Sequence, residues 1–537
     1  METLKYEELI APGEIKDFPV SMTTTEANLT GNWKFFRPRT RRLTAPCRQA
    51  CPLGVEVAAY VQPLVRGDLD AALAALRRDN PLPAVTGRVC PRFCQQQCNR
   101  RQFDQPVMIG SLERFLGDYG LDVPLPAPSV RLASRVAVVG SGPAGLAAAA
   151  FLARDGIRVS VYERRPAPGG LLRYGIPAYR LPKDILDREI DNLVCSLGIE
   201  MRLGEEVDAA YLERLLAAYD FVFWAPGLGQ AVIPTPFAGQ LGVYGALELL
   251  ADLAVDEAPP PGESFAVIGG GNAAIDAARS LRRHGRQVEI IYRRTREEMP
   301  AYEDERRQAL EEGVVIRERR LVTGLTTRQN GRLLLELSES RAGADRTVMP
   351  GAPAGQLEVD GVVVAVGQQP RWTPPAHERL LTGGDFAGGP ATVAAALASG
   401  RRAAAEIERR LGLALTEDSG AASSEAVVDF ADLHLDYCPP RPALVVPELP
   451  AAERLAGFAE VCPPVDKEEL IAEAERCFSC GYCTACGVCW FFCPDLAISI
   501  DESEPQNPVL IDLDHCKGCG LCAASCPRAV ITMEEEK

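Results

Sequence analysis

The chain has 537 residues, too many for one hydrophobic core and enough for three or four domains of about 100 to 200 residues each. At 47% hydrophobic and 24% charged residues its composition is that of a globular protein, which excludes disorder or a fibrous repeat as an account of the whole chain. Lys and Arg total 57 against 73 Asp and Glu, and the formal charge of -16 disfavours non-specific nucleic-acid binding.

The first residues, METLKYEELI, are charged and lack the apolar region of a secretory signal, and every apolar run falls well short of the roughly 20 residues that span a bilayer. A soluble, cytoplasmic protein without membrane or nucleic-acid partners is the expectation. In a reducing compartment the 18 cysteines point to metal rather than to disulfides, and with four His and no Cys/His array, mixed zinc-finger spacing is absent. Five Cys fall between Cys47 and Cys98, Cys195 stands alone, and twelve follow from Cys438, so cysteine position divides the chain into three parts.

The first part reads as helical, since DLDAALAALRRDNP places apolar residues at helical spacing and stops before Pro81. From Arg135 onward short β-branched strands alternate with Ala-rich helices, the pattern of a parallel sheet with crossover helices. In RVAVVGSGPAGLAAAAFLARDGIRVSVYER, Gly140, Gly142 and Gly145 form G-x-G-x-x-G between strand and helix, with Pro143 and Ala144 opening the helix. The helix N-terminus offers unpaired N–H groups to a pyrophosphate, and Glu163 at the end of the next strand can accept hydrogen bonds from ribose hydroxyls. The lone Cys195, in NLVCSLG with no C-x-x-C partner, is expected to be a buried structural thiol.

The device returns in SFAVIGGGNAAIDAARSLRRHGRQVEIIYRR, where Gly269, Gly271 and Ala274 take the same places and Asn272 opens the helix. No acid ends this second strand. Arg293 and Arg294 follow it instead and suit a ribose 2′-phosphate, so NADP(H) is favoured over NAD(H), a solvated strand end being the alternative. DEAPPPGES and PGAPAGQ read as loops at domain edges, and the Pro-, Ala- and acid-rich stretch from about Gly412 to Pro464 reads as a linker that wraps.

The tail contains C-x-x-C-x-x-C-x-x-x-C-P twice, at Cys483, Cys486, Cys489, Cys493 and at Cys516, Cys519, Cys522, Cys526. This is the bacterial two-cluster ferredoxin pattern, in which the fourth Cys of each run ligates the other cluster. One 4Fe-4S cluster is therefore expected on Cys483, Cys486, Cys489 and Cys526 and the other on Cys516, Cys519, Cys522 and Cys493; a pair of zinc sites is the alternative.

The segments GGLLRYGIPAYRLPK at 169 to 183, IYRRTREEMPA at 291 to 301, VAVGQQP at 364 to 370 and LLTGGDFAGGPATVAAALASGRRAA at 380 to 404 carry a family resemblance. With them the chain resembles the small subunit of glutamate synthase and its two-dinucleotide relatives, including the N-terminal half of dihydropyrimidine dehydrogenase. The resemblance implies a multidomain α/β fold. A helical iron-sulfur domain spans 1–130, an FAD-binding domain 131–250 resumes at 361–411 around an NAD(P)-binding domain at 251–360, and a linker at 412–470 leads to the ferredoxin domain at 471–537. It implies FAD on the first turn, with Gly170, Leu171 and Gly384 beside it, Asp385 on the ribityl chain, and Thr392 and Val393 opening a helix toward the flavin pyrimidine edge. Taken alone, Asp385 would be read as the cap of a turn.

Relatives of the glutamate synthase small subunit carry two further clusters on EA-x-RC-x-x-C, C-x-x-x-CP and GRVCP followed by two spaced Cys. Here Cys47 and Cys51, and Cys90, Cys94 and Cys98, supply the last two pieces, while the first is missing from its usual place. It reappears as EAERCFSC just before the ferredoxin run. The tail is therefore expected to fold back, Cys477 and Cys480 joining Cys47 and Cys98, while Cys51, Cys90 and Cys94 hold the other cluster. Glu113 stands where dihydropyrimidine dehydrogenase has a ligating Gln. The alternatives are that Cys477 and Cys480 are spare thiols, leaving one N-terminal cluster, and that Glu113 is a solvated helix residue. Cys438 and Cys462 fit no pattern.

These parts together imply an NAD(P)H:acceptor oxidoreductase subunit in a hetero-oligomer. Flavin would exchange hydride with nicotinamide, and clusters would exchange single electrons with a ferredoxin or with a partner enzyme of 2-oxoacid, aryl-CoA or formate oxidoreductase type. Alignment of two stacked rings needs no acid or base, so no catalytic side chain is expected. The alternatives are the electron-input subunit of glutamate synthase and an electron-transfer scaffold that does no nicotinamide chemistry.

Overall fold

A computed structural model describes residues 35–256, 258–342, 347–388, 392–413, 426–436, 438–501 and 508–535. The chain forms two compact units, one of Met1–Gly120, Thr416–Val446 and Pro464–Lys537, the other of Leu121–Leu415 and Pro447–Pro463.

In the second unit two five-stranded parallel sheets carry the two glycine turns. The first runs in the order Leu380–Thr382, Phe221–Trp224, Arg135–Val139, Arg158–Glu163, Glu200–Leu203, so a strand late in the chain closes a sheet begun before the second glycine turn. That order is the signature of one dinucleotide domain inserted in another. The second sheet runs Val315–Arg317, Gln287–Ile291, Ser264–Ile268, Gly361–Val364, Val243–Gly245. Its central strands are apolar because both faces are covered: Phe265, Val267 and Val363 are buried among Ala274, Ala278 and Leu281 of the crossover helix, and Ala266, Val362 and Val364 against Leu333, Leu335 and Leu337 of a three-stranded antiparallel sheet.

Two boundaries differ from the sequence reading. Val243–Gly245 and Gly361–Val364 flank the inserted domain in sequence but pair inside its sheet, because both ends of an insertion must lie side by side to return the chain. PGAPAGQ is no loop either. It lies within strand Val348–Val359, paired with Leu333–Ala342 through register shifts that absorb its prolines. Cys195, expected to be buried, sits on the exposed face of helix Lys183–Leu197, whose core side is Leu186, Ile190, Leu193 and Leu197.

The first unit is a set of short helices with two small two-stranded antiparallel sheets. Helix Leu69–Asp79 is capped by Asp68, whose side chain accepts from Ala71 N–H at 3.0 Å, and it ends before Pro81. Strand Phe36–Thr40 pairs antiparallel with Ile531–Glu535, the last strand of the tail. The segment after it stays with the tail, Arg41 N–H donating to Val530 and Leu43 N–H to Gly481.

Candidate functional site

The first glycine turn has a geometry fitted to a pyrophosphate. Gly140 adopts a φ of 101° and, like Gly145, leaves no room for a Cβ, which would strike the Ala225 carbonyl and the Gly140 carbonyl respectively. Gly142 faces open space, the side on which a phosphate can approach the N-terminus of helix Pro143–Arg154. Glu163 is buried and tied to the turn: one oxygen accepts from Ser141 N–H (3.0 Å) and Oγ (2.6 Å), the other from Arg165 N–H (2.8 Å). About one of its roughly four acceptor positions remains for a ribose hydroxyl.

Three further segments return to this turn. Gly170 lies so close to Gly142 that a Cβ would come within 2.8 Å of its Cα, and Leu171 begins a short helix with its side chain partly exposed. Gly384 faces Ala144, and its N–H donates to Ser399 Oγ at 2.9 Å. The partly buried Asp385 has its pKa raised by desolvation. Thr392 caps helix Val393–Arg410, its Oγ1 accepting from Ala395 N–H at 3.2 Å.

Sequence reading did not single out Lys183. It donates from Nζ to the Leu172 and Ile176 carbonyls at 2.9 and 2.5 Å and so pins the 169–176 turn. Burial, with Arg173 second, pushes it down to about 7. A Lys following Pro at a helix start was the only local signal.

At the second turn Gly269 has a φ of 139°, Gly271 faces open space, and Ala274 is fully buried in the close-packed third position. Asn272 is committed to the protein, accepting from Tyr302 N–H at 3.0 Å. Arg293 is exposed and Arg294 half-buried just beyond strand Gln287–Ile291.

All the cysteines of the first unit except Cys438 gather into four sets. Cys47 interacts most strongly with Cys98, Cys477 and Cys480, and then with Cys94. Cys51, Cys90 and Cys94 each lie within electrostatic reach of Glu113. Cys483, Cys486 and Cys489 lie with Cys526, and Cys516, Cys519 and Cys522 with Cys493. Burial pushes Cys51 and Cys477 up to about 11 and Cys90, Cys480 and Cys522 up to about 12. Bare thiols crowded in this way resist ionisation, and soft iron centres that take thiolates are the partners that would offset it. Among the described residues no three His, Cys, Asp or Glu close round a single-ion position.

The fold-back has a visible cause in Arg476, the Arg of EAERC. Buried to 2% exposure, it bonds Glu473 at 2.7 Å, Asp104 at 3.1 Å and the Pro106 carbonyl at 3.2 Å, while Glu473 accepts from Met108 N–H at 2.7 Å. The adjoining Phe478 meets Phe103 edge-on at 5.6 Å and lies under the Arg100 guanidinium at 4.8 Å. Outer donors aim at the sulfurs: Ser479 N–H at Cys477 (3.4 Å) and Asn99 Nδ2 at Cys480 (3.6 Å). Glu113 is buried, not solvated, pushed up to about 7 by burial, with Oε2 accepting from Thr86 Oγ1 at 3.3 Å. Cys438 packs against the cluster of Val428, Leu433 and Phe478, and Cys462 lies in the other unit.

Comparison with known proteins covers the same stretches. Residues 134–384 match the pyridine nucleotide-disulphide oxidoreductase family, residues 41–123 the dihydropyrimidine dehydrogenase domain II, 4Fe-4S cluster, and residues 482–530 the 4Fe-4S dicluster domain. The chain is 33% identical over 514 residues to the NADP(+)-dependent formate dehydrogenase subunit beta of Moorella thermoacetica, covering 82% of this chain and 71% of that one. It is 31% identical over 512 residues to the NADPH-Fe(3+) oxidoreductase subunit beta of Geobacter sulfurreducens, covering 82% and 75%. With the NAD-dependent dihydropyrimidine dehydrogenase subunit PreT of Salmonella typhimurium it shares 31% over 392 residues, covering 68% and 91%. Among the described residues no helix is long and apolar enough to cross a membrane.

Proposed function

Because the chain belongs to the pyridine nucleotide-disulphide oxidoreductase family, joined to a dihydropyrimidine dehydrogenase-type 4Fe-4S domain and a 4Fe-4S dicluster domain, we propose that it is the NAD(P)H-handling subunit of a larger redox enzyme. Its cofactors are FAD, NAD(P)(H) and 4Fe-4S clusters. FAD supplies the junction between two-electron hydride chemistry and one-electron carriers.

The glycines 140, 142 and 145 with Glu163, Gly170, Gly384 and Asp385 would hold FAD, and Thr392 would aim the N-terminus of helix Val393–Arg410 at its ring. Gly269, Gly271 and Ala274 would hold the second dinucleotide, with Arg293 and Arg294 on a 2′-phosphate. Four clusters would sit on the four sulfur-rich sets, Glu113 completing the one that has only three Cys.

The observation that carries this reading is the run Cys477, Cys480, Cys483, Cys486, Cys489, in which every interval is three residues. Its first two thiols lie with Cys47 and Cys98, and its last three with Cys526. Gly481 and Tyr482 alone separate the N-terminal sets from the ferredoxin sets, so the chain itself holds neighbouring clusters close. The order is then the Glu113 set, the Cys47 set, the Cys483 set and the Cys516 set, a path for single electrons to or from a partner. That partner is a catalytic subunit or a ferredoxin in the cytoplasm, a reading supported by relatives named as beta subunits.

The test is optical and analytical. NADPH added anaerobically to the isolated, reconstituted chain is expected to bleach the flavin absorbance, and iron analysis is expected to give about sixteen Fe per chain for four 4Fe-4S clusters. No bleaching with NADPH or NADH would leave only an electron-transfer scaffold.

A further inference from the structure

Helix Val57–Val65 runs through the interior of the first unit, and both of its buried polar side chains lie near the sulfur sets. Gln62 is satisfied, its Nε2 donating to Ser479 Oγ at 2.8 Å. Tyr60 is not. It is fully buried, at 0% exposure, and its hydroxyl makes no hydrogen bond to the protein. Burying a hydroxyl without a partner is unfavourable, so such groups in folded proteins point to a ligand or a role. The charged neighbours of this phenol are Glu113 and Cys94 from one set and Cys477 and Cys47 from the other. Tyr60 is thus a buried, unpartnered donor within electrostatic reach of ligands of both sets.

We propose that Tyr60 is a positioning residue for the N-terminal clusters: its O–H donates to a sulfur of one of the two clusters held by these sets and raises that cluster's potential relative to the other's. The proposal rests on the cluster assignment above. A hydrogen bond to a cluster sulfur favours the reduced, more negative form, and cluster potentials are set in part by such bonds. A phenol is un-ionised at neutral pH and has one hydrogen to donate. A single hydroxyl given to one of two clusters makes their potentials unequal and so fixes which of them holds an electron at partial reduction.

The experiment uses the whole reconstituted chain and the variant Tyr60→Phe, which keeps the ring and its packing. Iron content is expected to stay at the wild-type value. In an EPR-monitored redox titration one N-terminal cluster is expected to become harder to reduce, its midpoint moving to more negative potential, with the signals of the two ferredoxin-type clusters unmoved. Pulsed ENDOR of the reduced protein is expected to lose an exchangeable proton coupling present in the wild type. Incorporation of 3-fluorotyrosine at position 60, a more acidic donor, is expected to move the same midpoint the opposite way.

Midpoints and proton coupling unchanged at full iron would overturn the proposal and leave the cluster assignment standing. Loss of iron in Tyr60→Phe would overturn it too, since the hydroxyl would then be needed for assembly rather than tuning. A wild-type chain that lacks the N-terminal signals at the outset takes down the cluster assignment and this proposal together.

Discussion

Glu408, on helix Val393–Arg410, is buried, and its nearest charged neighbour is Asp155, with which it shares a hydrogen bond. Burial first, and Asp155 second, push it up to about 8. An acid whose folded pKa is raised contributes stability that is fully present below its unfolded value, near 4.5, and is lost as pH rises through about 8. Glu408→Gln keeps a donor and cannot ionise. Thermal unfolding is expected to show the variant more stable than wild type at pH 9, by about 1 to 3 kcal/mol, with the advantage gone near pH 4.5. An advantage that grows on acidification would mean Glu408 is ionised in the folded protein. Arg293 supports a second expectation at this scale. If its exposed guanidinium binds a 2′-phosphate, Arg293→Ala raises the KM for NADPH about ten- to a hundredfold and leaves that for NADH alone. Equal effects on both nucleotides would remove it from the phosphate. Residues of this kind differ in legibility. The glycines and paired Cys were readable because each motif states its own geometry, whereas Glu408, Lys183 and Tyr60 look like ordinary helix residues until the packing brings their neighbours.

At the scale of elements the least legible feature is the charge-rich stretch from 279 to 312, whose spacing names no partner for its Arg and Glu residues. Packing instead gathers it into a buried network between the two dinucleotide domains. Arg180 grips Asp276 through two bonds of 3.0 and 2.7 Å and reaches Glu305 at 2.8 Å, while Tyr179 lies under the Arg279 and Arg283 guanidiniums at 4.7 and 4.0 Å. Glu312, at 0% exposure, accepts from Arg279 at 2.8 and 3.1 Å and from Arg283 at 2.8 Å, with Arg454 at 3.6 Å. Arg454 comes from the stretch read as a wrapping linker, which also sets Phe458 against Tyr179 and His284. Glu312→Gln removes the one charge on which these guanidiniums converge and is expected to cost about 3 to 5 kcal/mol in chemical unfolding. Arg454→Met should cost clearly less, because Glu312 keeps Arg279 and Arg283. Equal losses would show that the strap, not the carboxylate, holds the network.

For the whole molecule the central question is whether the tail is an appended module or part of the N-terminal domain. The two ferredoxin repeats were legible in the sequence because their spacing is self-contained. The pairing of Phe36–Thr40 with Ile531–Glu535 was not, since a strand carries no local mark of a partner nearly the full chain away. The fold-back lay between these extremes, visible only as a motif missing from one place and present in another. The two arrangements predict different iron counts. Were the tail an independent module, ending the chain at Pro464 would remove the Cys483 and Cys516 sets and about eight Fe, and leave both N-terminal clusters. In the structure the same cut also takes Cys477 and Cys480 from Cys47, and takes Arg476 from Asp104. Only the Cys51, Cys90, Cys94 and Glu113 set stays whole, so about four Fe should remain. Because a truncated chain can misfold, the full-length Cys477→Ala, Cys480→Ala variant is the sharper arm. It is expected to lose about four Fe and one EPR-active cluster while keeping flavin and both ferredoxin signals. Wild-type iron and an unchanged spectrum in that variant would mean that the fold-back brings these thiols to Cys47 without giving them a cluster to hold.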